Sequence, residues 1–519
     1  MGHVLTIVDT AGIQDYVFRT NKLRQIIGAS KLVNNATGQW VTDVLKKPQD
    51  LVYSGGGNAV LIFDSMEDAK KFASDLSKKT LKEAPGLRLV ISHTAFDYNT
   101  EPLGGPDGII NKTFKQLEEL KAEGEPWSYE TSLGVTEECL FTGQPVVHES
   151  KNVDGEGFLS MESLTKFQAG KDSDKVFEKE IDGRKDIYCY AEDMEDITGK
   201  NSEKNLIGIV HIDGNDIGQR IIKLVNKHGE AKDNTSLCKV LKCFSKSIKT
   251  ASENTLKSLL TELTNKLYGI ELVLSDGDRI ELSVKDGKIV LPIRPIVLGG
   301  DDMTLICDGS LALDLTVRYL ETAQTQKLSD GNKYNCKAGI CIVKKNFPVY
   351  PAYQLSNQLA GSAKKFRKES KKALDTYYDE KDIPLESRLS EPDLSTMDWQ
   401  VCLNGIKGSL EEIRQAEYIV EHGDLLMRPL VLDKGINLPD INPTWRTWTH
   451  YLELLDEINN LPRNKAKELR EYLRLSEAHI KNYLAFNQIN LRHHNDGWYY
   501  NRSPYFDVLD MQDIYKKLA

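Results

Sequence analysis

Residues 205–218 read NLIGIVHIDGNDIG, and residues 296–307 read IVLGGDDMTLIC. In each, a run of apolar and β-branched residues meets glycine and aspartate, the pattern of a buried strand meeting a turn. Asp213 therefore falls at the end of a strand over 205–212. Gly299, Gly300, Asp301 and Asp302 form a turn between strands over 296–298 and 303–307. A long helix is predicted over 237–267. Two short strand pairs over 272–291 turn on Asp276-Gly277 and Asp286-Gly287, as an inserted hairpin would. Helix over 311–326, strand over 336–343 and helix over 350–368 follow. The order strand, helix, strand-turn-strand, helix, strand is the ferredoxin-like plan, an antiparallel sheet with its helices on one face.

The same order occurs in the N-terminal part. Val4 to Val8 form an apolar strand that breaks at Asp9-Thr10-Ala11-Gly12, and a helix is predicted over 23–45. DLVYSGGGNAVLIF at 50–63 is a strand pair hinged on glycines, followed by helix over 66–82, strand over 87–96 and helix over 110–122. A plan met twice is an internal duplication. The predicted fold class is α+β: two ferredoxin-like (βαββαβ) domains over 1–122 and 204–380. An irregular connecting module over 123–203 lies between them. Beyond Ser370 the chain turns strongly charged, and Pro384 and Pro392 bracket a linker. A helical C-terminal domain is expected over 390–519, with an amphipathic stretch at 466–475.

Composition narrows the classes. The chain has 519 residues, 28% charged and 40% hydrophobic, which is globular rather than disordered composition. Its formal charge of −10 argues against wholesale binding of long nucleic acid. No window approaches the roughly 18 apolar residues that span a bilayer, and the N-terminus lacks a secretory pattern. The 8 cysteines include no CxxC pair, so free thiols in a reducing cytoplasm are expected.

The chemistry concentrates on the carboxylates. In a ferredoxin-like sheet the first strand lies beside the central hairpin, so Asp213, Asp301 and Asp302 converge at one sheet end. Clustered carboxylates resist joint ionisation unless a cation neutralises them. Oxygen ligands of this kind suit Mg²⁺ or Mn²⁺, two of which serve an in-line phosphoryl displacement. Gly299, Gly300 and Gly218 let a nucleotide approach the backbone closely, and Lys364 on the last helix could neutralise a triphosphate. Taken singly, Gly-Gly-Asp-Asp is an ordinary turn and Lys364 a solvated charge. Together, in order and on these elements, they indicate a nucleotide-polymerising palm. No P-loop or HExxH pattern is present. His93, His148 and His211 are expected at the surface or packed. His493-His494, with Arg492, Trp498 and Tyr499, are expected to be packed aromatics, and the lysines from Lys364 to Lys372 a solvated helix end.

These residues resemble the large subunit of type III CRISPR effector complexes, a relative of GGDEF diguanylate cyclases and class III nucleotidyl cyclases. The matching stretches are IDGNDIG at 212–218, LGGDDMTLIC at 298–307, KAGICIVKKNFPVYPAYQLSNQLAGSAKK at 337–365, and Arg428-Pro429. GIQDYVFRTNKLRQIIGAS at 12–30 and SGGGN at 54–58 resemble that subunit's degenerate palm, with glycine and asparagine in place of the paired aspartates. The resemblance implies ATP-dependent synthesis of a cyclic or linear oligoadenylate in antiviral defence. Asp213, Asp301 and Asp302 would be catalytic and hold the metals. Gly214, Asn215, Gly218, Gly299, Gly300 and Lys364 would meet the donor nucleotide. Gln14, Ser54, Gly55, Gly56, Gly57 and Asn58 would meet the acceptor. Two departures stand out. The chain opens on the first palm without a His-Asp dipeptide, so no HD nuclease activity is expected. Only Cys139 and Cys189 fall between the palms, too few for a zinc site. Partners left open are a regulatory protein or RNA, CRISPR-type effector subunits and a homo-oligomer. A 3′,5′-cyclic mononucleotide cyclase and a non-catalytic nucleotide- or RNA-binding scaffold are the alternative functions.

Overall fold

The N-terminal strand is apolar at odd and even positions alike because both faces of its sheet are covered. In the computed structural model, which describes residues 2–55, 57–123, 134–149, 157–171, 184–200, 205–230, 233–389, 394–475 and 477–519, this strand is β1 (His3–Ala11). It is followed by helices α1 (Ile13–Phe18) and α2 (Leu23–Thr37), strands β2 (Leu51–Gly55) and β3 (Asn58–Phe63), helix α3 (Met66–Glu83), strand β4 (Arg88–Phe96) and helix α4 (Ile109–Glu123). The sheet order is β2-β3-β1-β4, with antiparallel pairing throughout. Val4, Val8, Leu61 and Phe63 join one core with Ile26 of α2 and Phe72 and Leu76 of α3. Leu5, Ile7, Val60 and Val90 join a second core with Ile110 and Leu117 of α4 and with Val225, Leu237 and Leu241 from the following half of the chain. Helices therefore flank this sheet on both faces rather than on one. The helix expected over 23–45 breaks at Gly38, and Gln39–Val44 forms a separate short helix.

Between the sheets, where periodicity is weak, helix α5 (Met161–Lys171) docks on α2. The two backbones touch at Gly28 and Gly170: a Cβ on Gly28 would lie 1.8 Å from the Lys166 carbonyl oxygen. Beneath this contact Lys166 pairs with Glu162 at 2.6 Å, both side chains buried.

The second sheet begins with β5 (Leu206–Gly214), followed by helices α6 (Ile217–Glu230) and α7 (Asn234–Asn265), capped by Asp233. The inserted strands turn at Gly277 and Gly287, both at positive φ, and Lys288–Leu291 pairs in parallel with Tyr188–Tyr190. Then come β6 (Ile293–Gly299), β7 (Asp302–Asp308), helix α8 (Ala312–Ala323), β8 (Cys336–Lys344) and helix α9 (Val349–Glu380). The order β6-β7-β5-β8 repeats that of the first sheet. It then continues into β9 (Thr396–Cys402), parallel to β8, and β10 (Leu430–Val431). Residues 396–402, expected within the helical C-terminal domain, are thus a sheet strand. Their sequence TMDWQVC is buried on both faces, with Trp399 fully enclosed, and α9 supplies the crossover that a parallel neighbour requires.

The C-terminal region is helical from Trp448 onward: Trp448–Asn459, Arg463–Tyr472, Glu477–Phe486 and Phe506–Met511. Arg428, buried, binds the Asp507 carboxylate and donates to Gln400 of β9 at 3.0 Å, so a paired charge fixes this region to the sheet. None of the eight cysteines forms a disulfide. Among the described residues no helix is long and apolar enough to cross a membrane.

Candidate functional site

Strand register brings the carboxylates together. Asp213, next to last in β5, stands opposite Asp302 of β7 on one side and opposite Lys337 of β8 on the other. Gly300 reverses the chain at φ 74°, which places Asp301 beside the end of β5. The Asp301 carbonyl accepts from Gly214 N–H at 3.1 Å and from the Tyr334 hydroxyl at 3.3 Å. A side chain at 214 has no room, because its Cβ would lie 2.9 Å from Ile217 Cγ1 and 3.0 Å from Asp301 Cβ.

Three carboxylates meet one nearby cation, Lys337, whose ammonium bonds Asp213. Burial first, and then the Asp213 charge, push Asp301 and Asp302 up to about 7. Asp302 keeps 46% of its side chain open to the cleft, yet its Oδ1 is enclosed and accepts no hydrogen bond. His211 Nδ1 lies 3.3 Å from that oxygen. Burial holds His211 down at about 4, so it is neutral at pH 7 and brings no charge. An oxygen-only donor set, one orphaned carboxylate oxygen and unbalanced negative charge fit a hard divalent cation. Asp213 is itself engaged by Lys337. Among the described residues, the set of three whose ligand atoms all lie within 4.8 Å is a different one, His450, Glu453 and His493.

Asp301 opens into a cavity of about 240 Å³ that both sheets line. Tyr53, Ser54, Gly55 and Asn58 come from the first sheet, while Gly300, Asp301 and Gly218 come from the second. The wall between them is α7, through Leu241, Phe244, Ser245, Ile248 and Lys249. Gly218 sits in the first turn of α6, and a Cβ there would meet nothing within 4 Å. Backbone N–H groups at such a helix start favour an anion.

Not every predicted residue reaches this cavity. Asn215 is buried and donates to the Leu394 carbonyl at 3.0 Å, so it tethers the segment entering β9. Gly214 and Gly299 shape the strand ends. Gly57, at φ 84°, packs beside Ile13 and Thr10, and Gln14 is exposed on α1. Gly56 lies outside the described residues. Lys364 is exposed on α9, near enough for its charge to act on Asp216.

Three charged residues at the site escaped the sequence reading. Lys337 is the partner of Asp213. Arg367, fully buried on α9, makes two 2.8 Å bonds to Asp216, which is held in the left-handed region at φ 54°. Burial works against the Asp216 charge, but Arg367, assisted by Lys364 and Lys337, holds its carboxyl below the usual range. Lys249 enters from a helix whose pattern speaks only of packing. None carries a local motif; only the paired register of β5 and β8 would have pointed to Lys337.

No protein-family model matches the sequence, and no curated protein does. Solved structures do match. The fold is that of Csm1. The chain aligns with the Csm1-Csm4 cassette in complex with pppApApA at a TM-score of 0.52 and 13% identity, covering 98% of this chain and 69% of that one. Csm1 from T. onnurineus gives 0.49 and 14%, covering 99% and 70%. The cassette in complex with cA4 gives 0.41 and 14%, covering 70% of this chain. In that last alignment the chain spans about half, 53%, of the Csm1 length. Csm1 is the large subunit of type III CRISPR complexes, so the resemblance carried by the motifs is met at the level of the fold.

Proposed function

We propose that this chain is a Mg²⁺- or Mn²⁺-dependent nucleotidyltransferase that joins ATP 3′–5′ into a cyclic or linear oligoadenylate, releasing pyrophosphate, in antiviral defence. The observation that carries this reading is the cavity shared by two sheets of the same topology, lined by Asp301 of the second sheet, next to which Asp302 pairs with Asp213. Solved Csm1-Csm4 cassettes in complex with ATP, with pppApApA and with cA3 support it as structures of similar fold.

In this reading the aspartates of the second sheet hold the cations, which when bound lower the pKa of an attacking 3′-hydroxyl and offset charge on the leaving pyrophosphate. The chain's own residues do the rest. The open backbone at Gly218 and the start of α6 receive phosphate oxygens. Lys249, on the cavity wall, flanks the triphosphate, and Lys364, outside the cavity, adds positive charge near Asp216. Phe244, Ile248 and Tyr53 give the bases an apolar wall. Asn58 and Ser54 offer polar groups to the second nucleotide. Lys337 orients Asp213, and Arg367 fixes the turn that carries Asp216 and Ile217 into α6.

Labelled ATP with Mg²⁺ or Mn²⁺, analysed by product mass, tests the reading. Oligoadenylate and pyrophosphate are expected. A 3′,5′-cyclic mononucleotide as sole product would make the chain a cyclase. Co-purifying RNA with no metal-dependent turnover would make it a scaffold.

A further inference from the structure

A second constellation lies far from the aspartates. Helix Trp448–Asn459 is capped by Thr447, whose hydroxyl accepts from His450 N–H. His450 and Glu453, three apart, share one face of that helix. His493 comes from the segment that follows helix Glu477–Phe486. One ligand atom from each of the three lies within 4.8 Å of the others. His450 Nδ1 is 3.3 Å from Glu453 Oε2. Its opposite nitrogen, Nε2, is 3.1 Å from His494 Nε2. Between those two rings one nitrogen donates and the other accepts.

If His450 donates from Nε2, its Nδ1 presents a lone pair. That lone pair and the Glu453 carboxylate are then both acceptors, and His493 brings a ring nitrogen within 4.8 Å of them, free to present its own lone pair. A cation resolves such a convergence, and the His450 contact to His494 is the outer hydrogen bond that commonly fixes the tautomer of a metal-ligating imidazole. Ring contacts brace the group: His450 with His493 at 5.4 Å and with Trp445 at 6.2 Å between centroids. Among the described residues the His493 ring has no hydrogen-bond partner. Glu453 and His493 are exposed, which leaves solvent free to complete a coordination sphere.

We propose that His450, Glu453 and His493 bind one divalent transition metal, with Zn²⁺ preferred and water in the remaining position. Two imidazoles and a carboxylate are a borderline donor set that suits Zn²⁺ rather than Mg²⁺. The oxygen-only aspartate set has the reverse preference, so the two sites are chemically separable. Bound metal would fasten helix Trp448–Asn459 to residues 491–499, whose Tyr499 meets Trp445 edge-on and reaches Asp440 at 3.2 Å. Its role is to secure the C-terminal region, independent of nucleotide chemistry.

The test uses metal-free full-length Asp301→Ala/Asp302→Ala protein, which leaves the histidine site intact. Zn²⁺ retained after gel filtration is counted by elemental analysis, and Co²⁺ is followed by its visible absorption. The expected result is one Zn²⁺ per chain and a Co²⁺ band. Affinity should fall at least about tenfold in both His493→Ala and Glu453→Gln, whose exposed positions leave folding intact. No retained metal, or equal retention in both variants, would overturn the proposal and leave His450 sharing a proton with Glu453 and His494.

Discussion

The ends of the two sheets can be compared residue by residue. Asp9 of β1 faces Asn58 and Val90 across its neighbours, as Asp213 faces Asp302 and Lys337. Gly57 stands where the other turn has Asp301. Three carboxylates have become one, and that one is neutralised from within: Lys121 of α4 bonds Asp9 at 2.6 Å. Burial nevertheless raises Asp9 above its ordinary value, the lysine offsetting only part of the cost. At the first end Lys121 is shared between Asp9 and the more exposed Glu118 at 2.8 Å, so a single inner carboxylate has its cation within the fold. At the second end, one lysine faces three carboxylates, two of them pushed toward neutrality. Equal topology thus leaves charge balance to decide which end calls for an outside cation.

The largest expected effect comes from removing that imbalance. Asp301→Ala/Asp302→Ala should lower product formation by about a thousandfold or more, since bound metal supplies several kcal/mol to the transition state. Circular dichroism should show an unchanged fold. Arg367→Met should cost about 3 kcal/mol of stability in denaturant unfolding, because it strands the Asp216 carboxylate in a largely enclosed site. Arg367→Lys should recover only part of this, lacking the two-pronged bond.

Asn58→Asp tests the first end by adding a like charge directly opposite Asp9. A loss of up to about 1 kcal/mol is expected, visible as a lower Tm and reversed by millimolar Mg²⁺ only if this end can hold a cation. No reversal is expected, because Lys121 already occupies Asp9. Titration adds a signed prediction. Asp9 has a folded pKa above the unfolded 3.8, so between these values the folded state binds more protons and stability falls as pH rises. Asp9→Asn should remove that fall, and unfolding midpoints of both proteins across this window will show whether it does. The smallest effect is that of Gly218→Ala. Nothing crowds the added methyl, so stability should hold while the KM for ATP rises a few-fold as the methyl enters the cavity.

The sequence carried those parts of the fold that depend on local pattern. The strand-turn-strand units, the long helices and Asp213 with Asp301-Asp302 follow from runs, glycines and alternation. Residues 396–402 were misplaced because their neighbours are charged and proline-rich, whereas partnership with β8, about sixty positions upstream, decides their state. Helix α5 was missed because its docking face is a glycine contact rather than an apolar stripe. Among site residues, Asn215 shows that a polar residue after a strand can also tether backbone. Lys337, Arg367 and Lys121 matter through partners more than a hundred residues away, and no local spacing encodes such a meeting.

The most direct test is a crystal structure of the full chain soaked with Mn²⁺ and a non-hydrolysable ATP analogue, with manganese located by anomalous scattering. The account predicts manganese at Asp213, Asp301 and Asp302, with nucleotide in the cavity between the sheets, against Gly218 and Ser54. Manganese at Asp9, or nucleotide bound away from that cavity, would contradict it.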